Sequence, residues 1–202
     1  MTIADFACSI NSCLPSIEQI KAHNLRVEER MKERALKITS TEHDLELIEK
    51  SRSQMMFTYD IDRETDVMEE KLCQLIERTN IQWRPSGFQW NPPGALNFYN
   101  EIRKSTFIDD GLEFAVCNDY EKICMNRQTS NIIWYFEDQW DFEILARDLD
   151  QFMSFVVECH RYEMHYIYNV DYAREERFKV LKTLIKQGLS YSAVSQFIND
   201  FK

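Results

Sequence analysis

Histidines, cysteines and carboxylates are the side chains with which this sequence could do chemistry, and their spacing is the first constraint. His160 and His165 stand five apart, flanked by Cys159 and Glu163. Helical residues share a metal ion when they are three or four apart; a spacing of five turns them about 140° from one another. The pair therefore reads as core or surface histidines. Six cysteines occur, Cys8, Cys13, Cys73, Cys117, Cys124 and Cys159, none in a C-x-x-C pair. Most fall inside apolar patterns, which reads as buried free thiols in a reducing compartment. Cys117 or Cys124 with His160 would supply the nucleophile and base of a thiol enzyme. No thiol-hydrolase signature flanks them, and a cysteine in a strand pattern is usually packing. The sequence holds no G-x-S-x-G, Walker A, Rossmann glycine fingerprint, EF-hand loop or H-E-x-x-H. With four glycines it has little material for a phosphate-cradling loop. The expectation is a protein that is not an enzyme, with no catalytic residues, no cofactor and no metal.

The carboxylates are more informative. The chain has 202 residues and a net charge of −10. Affinity for phosphate comes from Lys and Arg, so an acidic chain is a poor general nucleic-acid binder. It suits a basic protein partner, or simple solubility. Asp109, Asp110, Asp119, Glu121, Glu137, Asp138, Asp141 and Glu143 mostly fall in turns or at strand ends. They read as one negative rim or as an ordinary solvated surface; no specific pair stands out for acid–base catalysis. Within the rim, the turn Glu137-Asp138-Gln139-Trp140-Asp141 combines three carboxylates with an indole. Interface hot spots favour Trp, and charge guides encounter. The expected partner-binding residues are therefore Glu137, Asp138, Trp140 and Asp141, with Asp119 and Glu121 beside them. The alternative for Trp140 is an indole folded back over the sheet edge.

One stretch argues for another class. Leu184 to Phe197 resembles a helix-turn-helix, with a turn at Gly188 and a cap at Ser190. From Arg174 onward six basic residues face three acidic ones. Yet Ser190 to Phe201 carries no Arg or Lys to reach guanine or phosphate. A regulator acting on nucleic acid is thus an alternative reading, beside a helical interaction or scaffold protein.

The elements that must position these groups follow from periodicity. Leu112 to Val116 and Phe142 to Ala146 alternate apolar and polar residues, and Glu121 to Met125 is a further short strand. Asn131 to Phe136 is a nearly continuous run of β-branched and aromatic residues, which predicts a central strand buried on both faces. Asn118-Asp119 and Asp138 to Asp141 sit at the turns. A helix opens on Asp148 with Gln151 as its capping partner, carries Leu149, Phe152, Met153 and Val156 on one face, and runs to about Tyr168.

The first eighty residues read as helical. One helix starts at Pro15, a second is capped by Thr41 with Asp44 at N3, and a third is capped by Thr65 or Asp66, with Met68, Leu72, Leu75, Ile76 and Thr79 on one side. Phe57 to Ile61 is a short strand or an extended link. Ile81 to Ala95, with Trp83 and Trp90 among Pro and Gly, is an ordered aromatic loop that binds a ligand or seals the core. Leu96 to Lys104 reads as a short helix, with Leu96, Tyr99 and Arg103 on one side. After Asp171 two more helices are expected, the first ended by Gly188.

This predicts an α+β fold: a helical N-terminal part (1–80), an α+β core with a small, mainly antiparallel sheet and a covering helix (81–170), and a C-terminal helical hairpin (171–202), the whole able to form one compact domain. Met1 to Phe6 lacks the basic and apolar regions of a secretory signal, and no run approaches the ~20 apolar residues that span a bilayer. A soluble cytoplasmic protein without a membrane partner is expected.

Several of these stretches together resemble a known family. Strands Glu113 to Val116 and Lys122 to Met125 precede the aromatic strand Ile132 to Phe136, which ends in Glu137-Asp138. Ile144-Leu145-Ala146 then leads into Leu149-Asp150-Gln151-Phe152-Met153. Over Phe114 to Val157 this is similar to the C-terminal half of the SUKH superfamily, α+β domains common among bacterial immunity proteins. Asp148 stands where that family has a Ser cap, and Leu149 where it has Phe. The long helical N-terminus and the C-terminal hairpin exceed the usual domain. The resemblance implies an immunity protein that neutralises a secreted toxin by binding it. The expected function is accordingly that of an acidic, non-enzymatic binding protein.

Overall fold

Strands must pair to satisfy their backbone N–H and C=O groups, and from Leu96 onward they do so in chain order. The computed structural model describes residues 1–34, 45–81, 96–117, 121–136 and 141–168, with single positions between 179 and 188. Five strands, β1 (Leu96–Lys104), β2 (Gly111–Cys117), β3 (Glu121–Asn126), β4 (Ile132–Phe136) and β5 (Asp141–Ala146), form one antiparallel sheet in the order β1-β2-β3-β4-β5. Helices α1 (Ile3–Ser12), α2 (Ile17–Glu33), α3 (Leu45–Gln54) and α4 (Met68–Glu77) precede the sheet, and α5 (Leu149–Tyr168) follows it. The fold is α+β, with a helical N-terminal part. Among the described residues no helix is long and apolar enough to cross a membrane.

β1 corrects the helix expected over Leu96 to Lys104. Leu96 and Phe98 are both buried, the two-residue period of a strand, and Leu96 pairs with Cys117 and Phe98 with Ala115. Without β1, β2 would present an unpaired edge, and that long-range demand outweighs the local spacing. From Phe98 to Arg103 the chain takes five steps while β2 takes two, from Ala115 to Glu113. The resulting bulge brings the Arg103 guanidinium 4.6 Å from the centre of the Tyr99 ring.

β4 matches its sequence pattern. Four of its five residues are buried, because this strand is covered on both faces. Ile132 and Trp134 point into the main core, where α1, α4 and α5 contribute Ile3, Phe6, Leu72, Ile76, Phe152 and Val156. On the other face Phe107 stacks on Tyr135 with ring centres 4.8 Å apart. Phe107 belongs to the β1–β2 connection, which Ser105 shapes by accepting hydrogen bonds through Oγ from the backbone N–H of Phe107 (3.2 Å) and Ile108 (3.1 Å).

Gly111 closes this connection. A Cβ there would lie 2.8 Å from Ser105 Cβ and 2.9 Å from both Ile108 Cβ and the Ile108 carbonyl oxygen. Backbone cannot yield as a flexible side-chain end can, so Gly111→Ala is expected to cost about 1–3 kcal/mol of stability. Urea denaturation would measure this, and an unchanged midpoint would refute the close approach.

The helices show how far local signals reach. α5 begins as expected: Asp148 Oδ1 accepts from Gln151 N–H at 2.8 Å, while Gln151 Oε1 accepts from Arg147 N–H at 2.7 Å. It ends at Tyr168. α1 has no counterpart in the sequence reading, although Thr2 and Asp5 form a capping box and Glu64 adds a carboxylate at its first N–H groups. α2 is capped by Ser16 with Gln19, so Pro15 lies just before the cap, not in the first turn. α4 is preceded by Val67, which gives no side-chain cap; Thr65 Oγ1 instead accepts from Val67 N–H and donates to Glu70. Phe57 to Ile61 is an extended link in which Tyr59 bridges to Thr79. The Thr41 cap, the aromatic loop and most of the C-terminal hairpin lie outside the described residues. Gly188 is described, and its φ of +88° with N–H donated to Ile185 O is the left-handed stop expected there.

Candidate binding face at the edge of the sheet

A meander brings alternate connections to the same end of the sheet, and this gathers part of the expected rim. Glu121 opens β3 and pairs with Phe136 at the end of β4, which in turn pairs with Asp141 at the start of β5. The two carboxyl-bearing residues therefore stand two strands apart, roughly 10 Å. Asp141 is exposed and Glu121 half-buried. Asp141 Oδ1 accepts from Phe142 N–H at 2.8 Å. Glu137, Asp138, Trp140 and Asp119 lie outside the described residues. The connections that hold them leave from this same end, between Cys117 and Glu121 and between Phe136 and Asp141.

β5 holds what the sequence reading missed. Its alternation suggests that Phe142 and Ile144 face the core, but they are 54% and 50% exposed. The cause is a bulge against β4. Ile132 pairs with Ala146 and Ile133 with Ile144, so two steps of β5 oppose one of β4. Leu145 and Ala146 both turn to the core, and the phase is reversed for the earlier residues. Phe142 then lies opposite Tyr135 and Ile144 opposite Ile133. β5 is also the last strand of the sheet, and among the described residues no strand pairs with its outer side. Asp141, two exposed apolar side chains and a row of backbone N–H and C=O groups thus share one edge.

The residues weighed for other chemistry are placed differently. His160 is 2% exposed, and burial pushes its imidazole down to about 4; His165 is half-buried further along α5. Among the described residues no group of three or more His, Cys, Asp or Glu side chains forms a metal-ligand set. Cys117, Cys124 and Cys159 are buried. Burial, and then the charge of Glu113, push the Cys124 thiol up to about 12. Burial likewise holds Cys159 well above its ordinary value. Protonated buried thiols are poor nucleophiles.

At the start of α5, Asp150 receives the Lys71 ammonium at 3.0 Å and the amino group of Met1 at 2.8 Å. Burial alone would raise its carboxyl; the two cations outweigh that and hold it below its usual value. Lys71 is 4% exposed, and the cluster joins α1, α4 and α5.

No known protein family, no curated protein and no solved structure matches this chain. The functional reading therefore rests on its own residues.

Proposed function

We propose that this chain is a non-enzymatic binding protein that docks a basic protein partner on the β5 edge, in the manner of an immunity protein neutralising its toxin. The observation that carries the reading is the exposure of Phe142 and Ile144 beside Asp141 on an edge strand. The net charge of −10 steers a cationic surface toward the chain. The exposed apolar pair supplies contact area, and the outer side of β5 offers main-chain hydrogen bonds to an extended segment. The SUKH-like stretch supports the immunity reading by resemblance.

The test is capture of partners from the native host by the full chain, compared with a Phe142→Ser, Ile144→Ser variant. A single basic protein is expected, held more weakly as salt rises. The variant should bind it about 30-fold or more weakly, as for loss of a hot spot worth about 2 kcal/mol, with its melting temperature nearly unchanged. Equal capture by the variant would remove β5 as the docking edge, and binding indifferent to salt would remove the electrostatic steering.

A further inference from the structure

We propose that the outer face of the sheet holds a subsite for a lysine side chain of the basic partner, with the Glu113 carboxylate receiving its ammonium group. This subsite rests on the docking reading above and names what the partner must present there. Arg103, Glu113, Cys124, Ile133 and Ile144 stand opposite one another on successive strands, β1 to β5. Opposed residues project to the same side. Ile133 lies between Ile132 and Trp134, which face the main core, so the row crosses the other face. The exposed Ile144 ends the row on β5, and Glu113 lies in it on β2.

Glu113 is only 8% exposed, yet among the described residues its carboxylate has no hydrogen bond and no ion pair. Taking a carboxylate out of water is costly unless a cation or several donors offset the loss. Arg103 stands directly opposite, but its guanidinium lies over the Tyr99 ring and 3.8 Å from Glu101 instead. Neither oxygen of Glu113 is sealed from solvent. The carboxylate is thus recessed, open and without a cation of its own.

The recess selects among cations. A compact ammonium on a flexible carbon stem fits a narrow opening, whereas the planar fork of arginine needs a wider approach. The β1–β2 connection lies over the neighbouring position, with Ser105 Oγ 3.9 Å from Cys124 Sγ, and narrows the approach further. A divalent ion needs several oxygen ligands, and no group of three or more His, Cys, Asp or Glu side chains among the described residues could hold one. Ile144 and Glu113 are three strands apart, about 14 Å. A segment that only adds to the outer side of β5 cannot reach the carboxylate. The partner must therefore lie across the outer face and present its lysine about 14 Å from the side chains it packs on Ile144.

n-Butylammonium, n-butylguanidinium and n-butanol, titrated separately into the full chain and followed by its amide resonances, test the subsite without the partner. n-Butylammonium should shift the Glu113 and Cys124 amides saturably, n-butylguanidinium more weakly, and n-butanol not at all. Glu113→Gln should weaken the ammonium response about tenfold or more, the scale of one charge-assisted hydrogen bond. Its urea midpoint should stay level or rise, because an uncompensated buried charge is removed. The Phe142→Ser, Ile144→Ser variant should keep the ammonium response, so failure of docking at β5 is told apart from failure of the subsite. An unchanged response in Glu113→Gln, a response to n-butylguanidinium or n-butanol as strong as to n-butylammonium, or a lowered urea midpoint for Glu113→Gln would overturn the subsite.

Discussion

Phe152→Ala should lower the stability of this protein by about 3–5 kcal/mol, the range for truncating a fully buried aromatic side chain. Phe152 is 1% exposed, at the centre of the face that α5 turns to the sheet. Its ring meets Phe114 edge-on with centres 5.4 Å apart, Phe98 at 6.4 Å and Phe155 at 6.3 Å. Alanine removes partners from β1, β2 and α5 together, and close-packed neighbours collapse only in part around the space left behind. The loss is read from the urea midpoint with the m-value held fixed. A change below about 1 kcal/mol would mean that α5 is not seated on the sheet through this ring. The contrast with Phe142 is diagnostic: two phenylalanines ten residues apart, one expected to report on folding and the other on docking.

The second large effect is a loss of stability in mild acid. His160 has an ordinary value of 6.5, and burial pushes it down to about 4 in the folded chain. As the pH falls, the unfolded chain takes up this proton first, so stability falls with it. The His160 contribution is fully present above about pH 6.5 and is lost progressively toward pH 4. Between those limits the loss amounts to about 3 kcal/mol. Asp150, held below its usual value by Lys71 and the amino group, contributes its own loss lower on the scale. The measurement is the unfolding free energy against pH for the natural chain and for His160→Leu. The variant should lack the slope between pH 6.5 and 4 that the histidine confers. Parallel curves over that range would show that His160 takes up its proton equally in both states.

The parts of the fold legible in the residues are those whose causes are local. Asp148 and Gln151 lie within one turn of the bonds they make, and Leu149, Phe152, Met153 and Val156 carry the helical period through α5. The run Ile132 to Phe136 announced its two-sided burial by composition alone. Gly188 stops a helix because glycine occupies positive φ without strain. The net charge of −10 is set by composition and needs no coordinates. What could not be read depends on contacts between distant residues. Leu96 to Lys104 has a helical spacing, yet becomes β1 because β2 requires a neighbour. Phe142 and Ile144 face outward because a bulge against β4 reverses the phase of β5, and a one-residue shift moves every earlier side chain to the opposite face.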